Sequence, residues 1–404
     1  MSKQTSPATQ AAIVYLDSSD ISELTTPDRA GLKTELLALK TSSLAKFLFS
    51  DILVLECLPK DPDNVLPDDR SLQRIRTIAE LSGLEHHPSA WSILDHEIRR
   101  LVAQHHRSRE RTRLRRDWYY RVPQIPPLWD LVRKELMQDW RNAGASRNER
   151  RVRFKGATRL LRGSKNSDEE VQLLDELVRR FPFRPGDQAK LLTALKTSTN
   201  PADLNRLYRE ALDDIVNLSE WVVKSGDAGR QYVDELRAKA RSMEMVVVEY
   251  FNRTKATHAA LKAGASDNGG AGTVQSATEK MRDEWLDEVP RLMAAGLFGK
   301  EAEDFKGLPP LSPGTTPSLY ALHDFIIRII EGAGREKHPR NPTGKASHDY
   351  FDAMHAVFLP HVDIFRADGH AAEVLRSSPM AATKQIAASL SDIPGLVADH
   401  HHRA

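Results

Sequence analysis

Two short apolar runs that each end on an acid lie at opposite ends of this chain: "AIVYLD" at residues 12–17 and "VDIFRAD" at residues 362–368. Each reads as a short strand of the buried type with a carboxylate leaving its C-terminal end. From about residue 70 to 330 the pattern is instead that of amphipathic helices. Both ends are α/β in character and the long middle is α. One α/β domain interrupted by a helical insertion has this form, whereas two independent domains would not need matching ends. The expected architecture is therefore a central, mostly parallel sheet flanked by helices and formed by both chain ends. A large α-helical insertion makes the protein mostly α overall.

The expected boundaries follow from local signals. Residues 1–10 are polar and expected to be disordered. Residues 11–70 form the first α/β part, in which "TPDRAGLKTELLALKTS" has Pro27 near a helix start and Leu32, Leu36 and Leu39 at helical spacing. In "KFLFSDILVLECL", Ser50 is a good N-cap for a helix from Asp51 to Leu58 that would carry Glu56. Residues 71–335 form the insertion. Within it "PPLWDLVRKELMQDW" presents Trp129, Val132, Leu136 and Trp140 as one stripe, read as core. "SDEEVQLLDELVRRF" and "NPADLNRLYREALDDIVNLSEWVVKSG" read as further helices, the second closed by Gly226, and glycine-rich 264–273 reads as a flexible loop. Residues 336–395 return to α/β, with a helix capped by Ser347, a strand from Val362 to Phe365 and a helix beginning "GHAAEVLR", before a tail at 396–404.

At 404 residues the chain exceeds the usual single-domain size, and its 40% hydrophobic content is enough for a sizeable core. No apolar run approaches membrane-spanning length and "MSKQTSPATQ" lacks the regions of a signal peptide, so a cytoplasmic location without membrane association is expected. The single cysteine, Cys57, rules out an internal disulfide and cysteine-based zinc clusters; beside Leu55 and Leu58 it reads as a buried small residue.

Singly, each acid has an ordinary explanation. Asp17 can cap the helix that follows it, Glu56 can reach solvent from its helix, and Asp349 and Asp352 can form a solvated acidic face. Asp368 closes "IFRAD" as Asp17 closes "IVYLD", and in open α/β sheets that edge is where sites are built. Brought together, the carboxylates would repel one another unless a hard divalent cation such as Mg²⁺ or Mn²⁺ converted that repulsion into binding. Such an ion polarises a phosphodiester and activates water.

"IVYLDSSDISEL", "FSDILVLECL" and "DYFDAMHAVFLPHVDIFRAD", in that order, resemble the PIN-domain nucleases over about a quarter of the chain, roughly residues 11–60 and 340–378. The resemblance implies a PIN-like α/β fold and an acidic Mg²⁺ or Mn²⁺ pocket that cleaves RNA, less often DNA. It implies Asp17, Glu56, Asp352 and Asp368 as catalytic residues and metal ligands, with Asp349 as a neighbouring or substitute ligand. Ser18, Asp20, Ser50 and His355 would support them from behind. For His355, one turn beyond Asp352, contact with a metal or phosphate and a plain packing or capping role both stand.

A second feature points to the substrate. Between Arg99 and Lys165 there are 20 Arg and Lys against 6 Asp and Glu, so a strongly basic segment sits between acidic flanks. In "RRLVAQHHRSRERTRLRRDWYYR" the arginines surround any helix the segment forms, which suits phosphate binding better than core packing. Arg107, Arg109, Arg111, Arg113, Arg115 and Arg116 would meet phosphates, Trp118 and Tyr119 would stack on unpaired bases, and Arg150, Arg151, Arg153 and Lys155 would continue the track. Pairing of these arginines with the acidic flanks or with a regulatory or inhibitory protein is the competing explanation.

Other chemistries fit less well. "NPTGKAS" lacks the upstream glycine of a P-loop and has Ala346 where Ser or Thr would hold magnesium, and no Gly-x-Ser-x-Gly elbow occurs. The His-Asp pairs "LHDF" and "SHDY", with "LEHH" and "ADHHHRA", suggest an HD-type metal phosphohydrolase but give no ordered ligand set. The expectation is thus a metal-dependent endonuclease, RNA favoured over DNA, compatible with a toxin, a defence nuclease or an RNA-processing enzyme. The alternative is a catalytically inactive PIN-like scaffold that binds nucleic acid or protein.

Overall fold

The computed structural model describes residues 10–59, 70–106, 113–119, 140–153, 181–197, 201–227, 270–335 and 351–403, with scattered positions near 137, 175–179 and 229–234. Asp349, Arg107, Arg109, Arg111 and Lys155 lie outside the described residues, as do residues 1–9 and most of the tryptophan stripe.

The described chain is mostly helical, with one small parallel sheet. Strand β1 is Ala12–Tyr15, followed by helices α1 (Ser18–Leu24) and α2 (Ala30–Thr41), strand β2 (Ala45–Phe47) and helix α3 (Asp51–Cys57). Then come α4 (Arg70–Ser82), α5 (Ala90–His105), α6 (Gly270–Phe298) and α7 (Pro317–Arg335). Residues 351–356 are helical, and β3 (Ile364–Arg366), α8 (Gly369–Arg376), β4 (Gln385–Ala387) and α9 (Ile393–Arg403) complete the order.

The sheet runs β2-β1-β3-β4 with every pair parallel. Strands from the two chain ends are therefore direct neighbours, Val14 beside Ile364 and Tyr15 beside Phe365. Asp363 secures the junction: its N–H donates to the Ile13 carbonyl, and its carboxylate accepts the Ile13 N–H at 2.9 Å. Near-continuous burial of Ala12, Val14 and Tyr15 explains the unalternating apolar run, because a parallel strand is covered on both faces. β1 connects to β2 on one side while β3 connects to β4 on the other. The crevice between β1 and β3 is thus the point where the winding reverses, and the C-terminal ends of parallel strands open there.

Two compact units are present. One comprises Met1–Cys57, Gln73–Tyr120 and Glu235–Ala404, the other Leu58–Leu72 and Arg121–Asp234. Helices α5, α6 and α7, which the sequence pattern assigns to the insertion, belong to the first unit. The reason is burial: Ile93, Ile98 and Leu101 of α5, Leu286 and Val289 of α6, and Leu319, Phe325 and Ile326 of α7 share one core with Tyr15, Phe365 and Met354 to Leu359. Two polar links tie these helices. Glu97 of α5 accepts the N–H groups of Ser318 and Leu319, both at 3.0 Å, at the start of α7, and Asp324 of α7 binds Arg282 of α6 and Arg328.

Other boundaries differ from expectation in small ways. The β3 strand starts two residues later than the apolar pattern suggests and includes Arg366, whose charge is matched by Asp20. Residues 270–273 open α6 rather than finishing a loop, and 396–403 continue α9 against β1, β3 and β4 rather than trailing as a tail. In the second unit, the segment read as one helix is two, Pro201–Leu212 and Ile215–Lys224. It breaks because the Asp214 carboxylate turns back to accept the Asn217 N–H and caps the second.

Candidate metal centre

Each side chain of the site is positioned by a local device. Asp17 follows β1 and caps α1: its carboxylate accepts the Ser18 N–H and the Ser19 hydroxyl, and the Asp20 carboxylate accepts the Asp17 N–H at 2.9 Å, a reciprocal capping box. Ser50 caps α3 as its sequence position suggests, its hydroxyl accepting the Leu53 N–H at 3.1 Å. The next turn of α3 carries Glu56, the one half-exposed position in an otherwise buried "DILVLEC". His355 stands on the helical segment 351–356, one turn after Asp352.

These elements bring Asp17, Glu56 and His355 to one point. A ligand atom from each lies within 4.8 Å of the others, and among the described residues this is the one group so placed. His355 Nε2 is 2.7 Å from Glu56 Oε2 and 3.7 Å from Asp17 Oδ1. Its other ring nitrogen, Nδ1, is 2.6 Å from the Tyr15 hydroxyl, which is in turn 2.7 Å from Ser50 Oγ. A continuous chain therefore runs Ser50–Tyr15–His355–Glu56. His355 thus belongs among the candidate ligands. The sequence signal for it is the Asp352–His355 spacing of three, which places both on one helix face. Tyr15 escapes a reading of the acids alone. Its signal is an aromatic hydroxyl in an otherwise aliphatic strand, at the strand's last residue and two before Asp17.

The electrostatics match a crowded acidic pocket. Burial raises the Asp352 carboxyl to about 7, with the charges of Asp17, Asp368 and Glu56 adding to it and His355 opposing. Burial pulls the His355 imidazole down, but Glu56, Asp17 and Asp352 outweigh it and raise it to about 9. Burial also holds the Tyr15 phenol well above its usual range, with Glu56, Asp17 and Asp51 adding, so it stays protonated. Asp368 caps α8, its Oδ1 accepting the Ala371 N–H at 2.7 Å; it acts on Asp352 by charge but is not one of the three converging groups.

The supporting residues divide. Ser50 supports the site through Tyr15, whereas Ser18 contributes its backbone N–H to Asp17. Asp20 is fully buried and turned away, its Oδ1 2.9 Å from the Arg366 guanidinium. Burial raises Asp20 to about 7 against the pull of Arg366. Asp51 was not among the expected site residues; its Oδ1 accepts the N–H groups of Ile52 and Ala90, joining the starts of α3 and α5, and burial raises it to about 7.

The residues fit a divalent ion. Two carboxylates and an imidazole converge with no thiol, and a third carboxylate nearby, Asp352, is made hard to ionise by burial and by the neighbouring negative charges. The His-Asp pair at 323–324 offers no such set. The His323 ring, neutral and lowered to about 4 by burial, accepts the Trp285 indole N–H at 3.1 Å, and Asp324 is held by two arginines.

Of the basic segment, Arg113, Arg115 and Arg116 are exposed in a stretch outside any helix or strand, and in the second unit Arg151 and Arg153 are exposed and Arg150 half-buried on a helix over 147–153. Trp118 and Tyr119 are a correction to the stacking expectation. They are 2% and 5% exposed, Trp118 packing edge-on against Phe49, so their rings build core and present no face to a base. The same stretch is anchored by the Ser89 N–H donating to the Asp117 carbonyl, next to Ala90 and its bond to Asp51.

No family model, characterised protein or solved structure matches this chain.

Proposed function

We propose that this protein is a divalent-metal-dependent endonuclease that hydrolyses phosphodiester bonds, with RNA favoured over DNA. The observation that carries the reading is the convergence of Asp17, Glu56 and His355 at the C-terminal edge of a parallel sheet, with the carboxyl of Asp352 under their influence. Asp17, Glu56 and His355 would hold the ion, Mg²⁺ or Mn²⁺. When bound, it supplies Lewis-acid polarisation of the phosphate and a water of lowered pKa. Asp352, raised to about 7, is suited to take a proton at its carboxylate near neutral pH and to release it again. Asp368 keeps negative charge beside Asp352 and fixes the start of α8. The exposed Arg113, Arg115 and Arg116 would meet substrate phosphates. The preference for RNA rests on the resemblance of the acidic motifs to PIN nucleases.

Among the described residues no helix is long and apolar enough to cross a membrane. We place the protein in the cytoplasm, acting on nucleic acid there, with a regulatory or inhibitory protein as a further partner.

One observation favours a second reading. Asp17 and Asp368 both serve as helix caps, which is a sufficient structural reason for an acid at each position. On that reading the fold is a non-catalytic scaffold that binds nucleic acid or protein. The deciding experiment incubates single- and double-stranded RNA and DNA with the protein in Mg²⁺, Mn²⁺ or EDTA, alongside Asp17→Asn and Glu56→Gln. Metal-dependent cleavage lost in both variants supports the nuclease. Binding without cleavage under either ion establishes the scaffold instead.

A further inference from the structure

An all-carboxylate pocket has little reason to discriminate among hard divalent ions, whereas an imidazole donor favours transition ions over Mg²⁺. The way His355 is held therefore bears on which ion this site takes. Its side chain is only 5% exposed, and Nε2 faces Glu56 at 2.7 Å and Asp17 at 3.7 Å. The opposite nitrogen has a single hydrogen-bonding neighbour among the described residues, the Tyr15 hydroxyl at 2.6 Å. Tyr15 is itself immobilised. It is fully buried, and its ring is stacked with those of Phe358 and Phe365 at centroid distances of 5.2 Å.

The hydroxyl end is fixed as well, because Ser50 Oγ lies 2.7 Å from it and is tethered by the Leu53 N–H. The chain can carry its protons in two directions. In one, Ser50 donates to Tyr15, Tyr15 donates to Nδ1, and Nε2–H faces Glu56. In the other, Nδ1–H donates to Tyr15, Tyr15 donates to Ser50, and the Nε2 lone pair faces the carboxylates. Only the second offers a ligand to an ion. Without the phenolic oxygen, its Nδ1–H would be buried with no acceptor, a cost borne by the metal-binding form and not by the tautomer that turns Nε2–H to Glu56.

We infer that Tyr15 is a positioning residue that presents His355 Nε2 as a ligand beside Asp17 and Glu56, making this a mixed carboxylate–imidazole site selective for Mn²⁺ over Mg²⁺. The inference rests on the metal-dependent reading above and adds to it the class of ion and the residue that sets it.

The test measures Mn²⁺ and Mg²⁺ affinity of the full chain by titration calorimetry, with pulsed electron paramagnetic resonance of the Mn²⁺-loaded protein to detect coupling to a ligand nitrogen. Wild type should bind Mn²⁺ at least about tenfold more tightly than Mg²⁺ and show nitrogen coupling. His355→Gln should abolish the coupling and collapse the ratio. Tyr15→Phe, which removes only the hydroxyl, should weaken Mn²⁺ binding by about tenfold while changing Mg²⁺ binding much less. Equal affinities without nitrogen coupling in wild type, or a Tyr15→Phe protein with unchanged Mn²⁺ affinity and coupling, overturns the inference and leaves a metal-dependent nuclease intact. Absence of any ion binding by wild type overturns both. If Tyr15→Phe does not fold, Ser50→Ala answers the same question from the other end of the chain: a wild-type Mn²⁺/Mg²⁺ ratio in that variant counts against the inference, and a lowered ratio for it.

Discussion

Asp17 accepts a backbone N–H of α1 and also lies 3.7 Å from His355, so its replacement separates two effects. Asn can still accept at a cap, whereas Ala cannot. Asp17→Ala should lose about 1 kcal/mol of stability and Asp17→Asn much less, as measured by urea denaturation in EDTA. Both should lose at least about a hundredfold of metal-dependent cleavage. Asp352 behaves differently because its folded carboxyl, at about 7, holds a proton more tightly than an unfolded one near 4. The stability it permits is full below pH 4 and is lost as pH rises through 7, since the folded state then binds the extra proton. Asp352→Asn should therefore stabilise the metal-free protein at pH 7.5 by about 1–3 kcal/mol while abolishing cleavage. Denaturation curves from pH 4.5 to 8 should show a shallower slope in the variant. Asp20 and Asp51, also raised to about 7 by burial, keep some slope in place. His355 acts with the same sign over a higher range, its contribution being full below about 6.5 and lost as pH rises through about 9.

Among the elements, the contrast is between features of one segment and features that need two. The caps of α1 and α3 were legible, because Asp or Ser before an apolar-periodic run meets its partner within three residues. The burial of Glu97 and Asp324 was not. Each is an acid in an amphipathic helix whose partner lies on another helix: the start of α7 for Glu97, and Arg282 of α6 for Asp324. Asp324 is fully buried between two guanidinium groups, so Asp324→Ala would leave both cations without their shared anion. A loss of roughly 3–5 kcal/mol is expected in urea denaturation. Trp118 and Tyr119 teach the same lesson in reverse. Their neighbours in sequence are arginines, but Phe49, about seventy residues earlier, decides that Trp118 is core.

At the scale of the whole molecule, the exposed Arg113, Arg115 and Arg116 belong to the unit that contains the sheet and the candidate metal centre. Replacing all three by Ala should weaken RNA binding and reduce the slope of log affinity against log salt by about 2, as read by fluorescence anisotropy across a KCl series. Stability should change little, since none of the three is buried. A triple variant with the wild-type salt slope would remove these residues from the substrate path.

What the sequence by itself determined is short-range: apolar runs that must be strands, helices begun by Asp17 and Ser50, and acids stationed where strands end. Those features follow from hydrogen bonds and side-chain periodicity within a few residues. Tertiary structure alone decided that β1 pairs with β3 across some 350 residues, that α5 to α7 complete the core around that pair, and that Glu56 and His355 meet at Asp17. It alone also set the ionisation of the pocket. The ordinary pKa of a carboxyl or an imidazole is a property of the residue, but the burial and neighbouring charges that move it exist only once distant segments have packed together.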